Sequence, residues 1–243
     1  MNYDICGGRM HRARLDVRLN LVNSMAVEVK ICGLKTEAAL EAALAAGADY
    51  VGLVFHAASR RNLDLETARG LAERARGRAK IVALLVDPDD AQLEEVVAAV
   101  GPDILQLHGN ETPQRVAEVA RRFGRPVLKA VKVAAADDAL SALTYAGKAD
   151  RILFDAKAPP GREDALAGGN GIAFDWQALS GVRGKIDYML AGGLTPANVG
   201  EAIRLTGATA VDVSSGVESR PGVKDLELIR SFLHAAKTAK QAR

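Results

Sequence analysis

Eight short runs rich in β-branched residues alternate with helical windows, and this alternation restricts the fold more than any other feature of the sequence. The runs, each six or seven residues long, are VEVKIC (27–32), YVGLVF (50–55), KIVALLV (80–86), DILQLH (103–108), VLKAVK (127–132), RILFDA (151–156), DYMLAG (187–192) and AVDVSS (210–215). Helical windows lie between each successive pair. The pattern predicts an α/β protein, a single (β/α)8 TIM barrel with a parallel eight-stranded core. An open doubly wound sheet is the alternative.

Helix-end signals and length support one domain. In the first window, 36–46, Thr36 is placed as N-cap and Gly47 as the C-terminal stop. Thr195 followed by Pro196 repeats the start signal before the seventh helix. The chain has 243 residues, close to the ~250 typical of such a barrel, and no Pro-rich or Ser-rich linker interrupts it. We therefore expect residues 25–243 to form one catalytic barrel domain.

Residues 1–24 are set apart from this pattern. They account for the whole net charge of +2, because they hold four arginines and two aspartates: Arg9, Arg12, Arg14, Arg18, Asp4 and Asp16. They lack the apolar core of a secretory signal. We interpret them as a disordered N-terminal extension or as the product of an upstream start codon, with Met25 as the functional start. An amphipathic targeting helix is the alternative.

Composition narrows the classes of partner and compartment. The remainder of the chain is balanced in charge, with no basic tract, so nucleic-acid binding is not expected. No apolar run approaches the ~20 residues that cross a bilayer, so no membrane segment is expected. The chain has two cysteines, Cys6 and Cys32. This low count fits a reducing, cytoplasmic setting.

Polar residues gather where the predicted strands end. They are Cys32, Arg60, Arg61, Asp87, Gln106, His108, Asp155, Gly192, Gly193, Ser214 and Ser215. Active sites of (β/α)8 barrels lie at the carboxyl ends of the strands, so these side chains are expected to converge. Side-chain alternation puts Lys30 and Cys32 on one face of the first strand, and Leu153 and Asp155 on one face of the sixth.

Glycine turns after the last two strands predict an anion site. Gly192 and Gly193 let backbone amides approach a phosphate, and the helix expected at Thr195 presents its N-terminus to the same place. The second wall would consist of residues Ser214, Ser215 and Gly216. Such a site is common among barrel enzymes that act on phosphosugars, so a small phosphosugar is the expected substrate class. Ordinary turn glycines are the alternative interpretation.

The order of the strand-end motifs resembles one family. The motifs are KICG (30–33), FHAASRR (55–61), QLHG (106–109), LFDAK (153–157), GGNGIAFDW (168–176), LAGGL (190–194) and DVSSGVESRPGVKD (212–225). Together they resemble phosphoribosylanthranilate isomerase across 27–237. The resemblance implies a step of tryptophan biosynthesis that needs neither cofactor nor metal, the Amadori rearrangement of N-(5-phosphoribosyl)anthranilate to 1-(2-carboxyphenylamino)-1-deoxyribulose 5-phosphate.

The resemblance also implies residue roles. Asp155 would be the general acid that protonates the ribose ring oxygen, and Cys32 the general base that removes the carbon 2 proton. The acid needs a raised pKa and the thiol a pKa lowered from ~8.5 towards neutrality. Lys30 would either lower the pKa of that thiol or pair with a carboxylate inside the barrel; both interpretations stay open.

Other pocket residues follow from the same resemblance. An arginine would bind the anthranilate carboxylate, and Arg61 is the first choice, although Arg60 stands where the family has proline. Gln106 and His108 are expected to line the pocket without transferring protons. The GGNG segment (168–171) is expected to form a mobile loop over the site.

Two other functions remain possible on the sequence. A related barrel isomerase of histidine biosynthesis performs the same rearrangement with paired aspartates, and Cys32 stands where that relative would carry one of them. A catalytically silent phosphate-binding barrel would be expected to lose Cys32 or Asp155, and both are present. Monomeric and dimeric barrels share this pattern, and a monomer is the expectation.

Overall fold

The computed structural model describes residues 27–157 and 174–239, and within them eight strands close into a barrel. The strands are β1 (Glu28–Cys32), β2 (Tyr50–Phe55), β3 (Lys80–Leu85), β4 (Ile104–Leu107), β5 (Val127–Val133), β6 (Arg151–Ala156), β7 (Tyr188–Leu190) and β8 (Ala210–Val213). Each pairs in parallel with the next, and β8 pairs with β1. This closure confirms the predicted (β/α)8 barrel and rules out the open sheet. The N-terminal extension (1–24) and the GGNG segment lie outside the described residues.

Helices cover the outside of the barrel. They are α1 (Glu37–Ala45), α2 (Leu65–Ala75), α3 (Asp90–Val100), α4 (Pro113–Phe123), α5 (Ala136–Ser141), α6 (Val199–Thr206) and α7 (Leu226–Thr238). Short 3-10 helices span Ala142–Tyr145, Trp176–Leu179 and Ser215–Val217, and a small hairpin is formed by β9 (Glu218–Arg220) and β10 (Val223–Lys224). Among the described helices, none combines the length and the apolar character needed to span a membrane.

Local capping explains where the helices begin. Thr36 is the N-cap of α1 as predicted, since its side chain accepts a hydrogen bond from the Ala39 N–H at 3.3 Å. The helix expected at Pro196 instead begins at Val199. Residues 195–198 form a turn instead, in which the Thr195 carbonyl accepts the N–H groups of Asn198 and Val199 at 3.2 and 3.1 Å and Asn198 Oδ1 accepts the Thr195 N–H at 2.7 Å.

The segment between β6 and β7 also departs from prediction. A helical window was expected there, but in the part that the structure describes, 174–187, the only helix is the 3-10 turn Trp176–Leu179. Asp175 begins this turn, because its side chain accepts the Gln177 N–H at 3.0 Å.

Two apolar layers stabilise the barrel. The larger lies between the strands and the surrounding helices. The smaller fills the barrel interior with side chains that alternate inward along the strands: Leu128, Ala130, Leu153, Met189, Ala191 and Ala210. Cys32 packs nearer the carboxyl ends of the strands, with Val54 and Leu84. The inward faces predicted for β1 and β6 are therefore confirmed, and the polar strand ends above this layer form the floor of a cleft.

Candidate active site

A cleft of about 610 Å³, counted with its open mouth, lies at the carboxyl ends of the strands. Nine of the ten expected site residues line it: Cys32, Arg61, His108, Asp155, Gly192, Gly193, Ser214, Ser215 and Gly216. Gln106 does not. Its side chain is fully buried one layer below, behind His108, so the expectation that it lines the pocket is wrong. The barrel has thus brought residues from β1, β4, β6, β7 and β8 to one cavity.

Cys32, at the end of β1, is a buried free thiol with two lysines in its surroundings. Burial raises the pKa of the Cys32 thiol, and the positive charges of Lys30 and Lys224 oppose this shift without cancelling it. The expectation of a lowered thiol pKa is therefore wrong. The main cause is burial of the thiol, and the negative charge of Asp212 adds to it.

Lys30 lies at the centre of the barrel, with no exposed surface. Its Nζ donates to Asp212 Oδ1, on the neighbouring strand β8, at 2.9 Å. Burial opposes the charge, but Asp212 and Cys32 outweigh it, so the pKa of Lys30 lies above its ordinary value. The two interpretations of Lys30 are therefore both correct in part: it pairs with a carboxylate, and it acts electrostatically on Cys32.

A buried ion network holds Arg61 at the cleft. Its Nε and Nη2 donate to the two carboxylate oxygens of Glu218 at 2.7 and 2.9 Å. Lys224 Nζ donates to Glu218 Oε1 at 2.9 Å and to the Ser214 carbonyl at 2.8 Å. Burial alone would raise the pKa of Glu218, but Arg61 and Lys224 hold it down at about 2. The Arg61 bonds to Glu218 use Nε and one proton of Nη2. The Nη1 group and the other Nη2 proton form the outer edge of the guanidinium, which has no partner among the described residues and can bind an anion.

This network also settles which arginine points inward. Arg61 is 7% exposed and lines the cleft, whereas the Arg60 side chain lies on the exposed surface. The Arg60 carbonyl accepts from Lys35 Nζ at 3.0 Å, which fixes the backbone of this loop.

Three charged residues of the site were missed by the sequence reasoning: Asp212, Glu218 and Lys224. Asp212 carried a signal, since an acidic residue that alternates inward within a β-branched run must be paired when it is buried. Glu218 and Lys224 flank a Pro-Gly turn, a hairpin pattern that would place them opposite each other.

Asp155 lies at the end of β6 and is buried. Its Oδ1 accepts the Ala156 N–H at 2.9 Å, and its Oδ2 lies 3.2 Å from His108 Nε2. Behind it, His108 Nδ1 lies 2.8 Å from Gln106 Nε2. This carboxyl group contacts a backbone N–H and an imidazole nitrogen on the protein side and faces the cleft on the other, so it is suited to exchange a proton with a ligand.

The glycine turns after β7 and β8 form the opposite wall. Gly192 has φ 83°, and a Cβ there would lie 2.4 Å from the Ala156 nitrogen. A Cβ on Gly216 would lie 1.9 Å from the Leu194 carbonyl oxygen, so only glycine fits. The N–H groups of Gly192 and Gly193 donate to no acceptor among the described residues, so they remain available for an anion.

Ser214 has a different contact from the one expected for a phosphate ligand. Its hydroxyl donates to the Cys32 carbonyl at 3.1 Å and accepts from Lys224 Nζ at 3.2 Å. It therefore ties β8 to β1 beneath the glycine wall. Across 27–157 and 174–239, no group of three His, Cys, Asp or Glu side chains is arranged to hold a metal ion.

Comparison with known proteins agrees with this geometry. Residues 29–235 match the model of the N-(5'phosphoribosyl)anthranilate (PRA) isomerase family. An N-(5'-phosphoribosyl)anthranilate isomerase of Rhodopseudomonas palustris (strain BisA53) is 56% identical over 217 residues, which cover 89% of this chain and 99% of the relative.

Solved structures give the same result. Phosphoribosyl anthranilate isomerase from Thermotoga maritima superposes with a TM-score of 0.78 at 35% identity, covering 87% of this chain and 98% of that one. A phosphoribosyl anthranilate isomerase in complex with reduced 1-(o-carboxyphenylamino)-1-deoxyribulose 5-phosphate has a TM-score of 0.76 at 33% identity, with the same coverage.

Proposed function

The chain belongs to the N-(5'-phosphoribosyl)anthranilate isomerase family, and we propose that its cleft carries out the family reaction through Asp155 and Cys32. The reaction is the Amadori rearrangement of N-(5-phosphoribosyl)anthranilate in tryptophan biosynthesis. The observation that carries the assignment of roles is the meeting of a buried carboxyl group, a buried thiol and an open glycine wall in one cleft. General acid–base catalysis needs the first two, and a phosphorylated substrate needs the third.

The proton transfers run in two steps. Asp155 gives its proton to the ribose ring oxygen, the carbon 1–oxygen bond breaks, and the anilino nitrogen lone pair forms an iminium. Cys32 then removes the proton from carbon 2, and the electrons of that C–H bond form a carbon–carbon double bond that neutralises the nitrogen. The resulting enol tautomerises to the ketone. The substrate and product are therefore isomers, and the reaction needs no external oxidant or reductant.

The two ends of the substrate find complementary groups. The free edge of Arg61 offers a two-point contact for the anthranilate carboxylate. The amides of Gly192 and Gly193, with Ser215 and Gly216 opposite, receive the phosphate. Glu218 does not compete for the carboxylate, because it occupies the other edge of Arg61 and keeps the side chain extended into the cleft.

The proposal extends to the state of the protein in the cell. A free buried thiol that serves as base fits a reducing cytoplasm. A monomer is proposed because, among the described residues, the large apolar side chains that are exposed number three and belong to different elements: Leu140, Leu205 and Val223. Sedimentation equilibrium would reveal a dimer if this is wrong.

The test of the reaction is the fluorescence decay of freshly made phosphoribosylanthranilate, corrected for spontaneous decomposition. Rapid turnover by the wild type is expected, with losses of about 10²-fold or more for Cys32→Ser and for Asp155→Asn. Asp137→Asn, which removes an exposed carboxylate from α5, should leave the rate unchanged. A folded wild-type protein without turnover would exclude the isomerase, and activity that survives both substitutions would move the proton-transfer roles to other residues.

A further inference from the structure

A chain of three buried polar side chains leads from the barrel interior to Asp155. Gln106 Nε2 lies 2.8 Å from His108 Nδ1, and His108 Nε2 lies 3.2 Å from Asp155 Oδ2. Gln106 is fully buried, His108 is 4% exposed and Asp155 is 6% exposed. Gln106 Oε1 is buried and has no hydrogen-bond partner within 27–157 and 174–239. A buried amide that forgoes a partner for its oxygen is costly, so the bond it does make to His108 needs an explanation.

The direction of the first hydrogen bond follows from the surroundings of the amide. On the neighbouring strands, the residues in register with Gln106 are Leu84 and Leu128, which offer no side-chain acceptor. In the structure the amide atom that faces His108 Nδ1, at 2.8 Å, is the nitrogen Nε2, and an amide nitrogen is a donor only. The amide therefore donates to His108 Nδ1.

A neutral imidazole carries one proton, so the state of Nδ1 decides the state of Nε2. When Nδ1 accepts from Gln106, the proton must sit on Nε2, and Nε2–H then donates to Asp155 Oδ2. The Ala156 N–H donates to the other carboxylate oxygen at 2.9 Å. Each oxygen keeps a second lone pair, so the proton that Asp155 transfers can still be held on the side of the cleft.

We propose that Gln106 is a positioning residue that fixes His108 in the tautomer with its proton on Nε2, and that His108 thereby orients Asp155 and stabilises the carboxylate left after proton donation. The inference rests on the proposed role of Asp155 as general acid. His108 stays neutral throughout and gives up no proton itself. The orphaned Gln106 oxygen is the cost of this arrangement, which an apolar residue at the same position would avoid.

The experiment is nitrogen NMR on protein labelled with ¹⁵N-histidine, combined with steady-state kinetics. His108→Asn identifies the His108 signals among the four histidines of the chain. Gln106→Met keeps the shape and removes the donor; Gln106→Glu keeps the shape and replaces the donor with an acceptor. Gln114→Met, at an exposed position of α4, is the matched control. Thermal melting shows that each variant is folded.

The wild type is expected to carry a proton on Nε2 and a bare Nδ1 near neutral pH. Gln106→Met should shift His108 towards the tautomer with its proton on Nδ1 and lower kcat by about tenfold, with KM little changed, because that tautomer no longer donates to the developing Asp155 carboxylate. Gln106→Glu should place a proton on Nδ1 and also lower kcat. Gln114→Met should change neither the spectrum nor kcat.

The inference is overturned if wild-type His108 carries its proton on Nδ1 or is doubly protonated at neutral pH. It is equally overturned if folded Gln106→Met keeps the wild-type tautomer and kcat. The NMR signal does not depend on turnover, so the two proposals can be tested separately. A proton on Nε2 in a protein without isomerase activity would contradict the proposed function, whereas a proton on Nδ1 in an active enzyme would contradict this inference alone.

Discussion

Glu218 is the residue whose replacement most directly tests the electrostatic account of the cleft. Its carboxylate receives two hydrogen bonds from Arg61 and one from Lys224, and the Glu218 and Lys224 side chains are each 3% exposed. Glu218→Gln keeps the size and one oxygen but removes the charge. Arg61 and Lys224 would then be two buried cations without a counterion, which is the costly way to break a buried ion pair.

The magnitude follows from the pKa of Glu218, which the network lowers from 4.5 to about 2. At ~1.36 kcal/mol per tenfold change in proton affinity, the ionised carboxylate contributes about 3 kcal/mol to the free energy of unfolding near neutral pH. The cost of removing one partner of a buried pair, ~3–5 kcal/mol, is in the same range. A barrel of this size loses ~2–4 °C in Tm for each kcal/mol, so Glu218→Gln should melt about 6–12 °C below the wild type.

Thermal melting across pH tests both the size and the sign. The pKa of Glu218 is lower in the folded protein than in the unfolded chain. Its contribution to the free energy of unfolding is therefore complete above about pH 4.5 and is lost as the pH falls towards about 2. The difference in Tm between the wild type and Glu218→Gln should stay constant from about pH 5 to 8 and become smaller in acid. Glu41→Gln, which breaks an exposed pair with Arg78, should leave Tm nearly unchanged. A variant that melts with the wild type, or a gap that persists in acid, would refute the reasoning.

Two further outcomes are expected at the cleft. Gly216→Ala should raise KM and weaken inhibition by inorganic phosphate, because its Cβ would lie 1.9 Å from the Leu194 carbonyl oxygen. The control Gly200→Ala, whose Cβ would meet nothing within 4 Å, should leave both quantities unchanged. A Gly216→Ala variant with the wild-type KM would contradict this. In a Cys6→Ser background, the rate of Cys32 alkylation by iodoacetamide should keep increasing with pH beyond ~8.5, the pKa of an ordinary thiol, because burial raises the pKa of Cys32. A rate that reaches its plateau at neutral pH would contradict this.

The fold was predictable because each strand carries its own signal. RILFDA was assigned to 151–156 from its composition, and the structure has β6 at the same residues. Alternation along that strand then placed Asp155 inside the barrel mouth without any tertiary information. The helix predicted to start at Pro196 begins three residues later, at Val199, because Thr195 to Asn198 form a turn held by backbone hydrogen bonds and by the Asn198 side chain.

Long-range pairings were beyond the sequence. Arg61 and Glu218 are 157 positions apart, and Lys30 and Asp212 are 182 apart, so each pair exists only because the barrel closes. The same holds for the pKa of Cys32. Lys30 could be seen two residues away on the strand, but the burial that outweighs it and the negative charge of Asp212 that opposes it come from other elements.

The raised pKa of Cys32 bears on the order of the proposed steps. Burial raises the pKa of the Cys32 thiol and so disfavours the thiolate that acts as base, and the neighbouring lysines are already paired with Asp212 and Glu218. Ring opening by Asp155 would create an iminium cation next to carbon 2. That new positive charge would acidify the carbon 2 proton and would also favour the thiolate, and the thiol proton would pass to the Asp155 carboxylate left by ring opening. Acid catalysis would therefore switch on the base, and the thiol would remain unreactive until the substrate has opened.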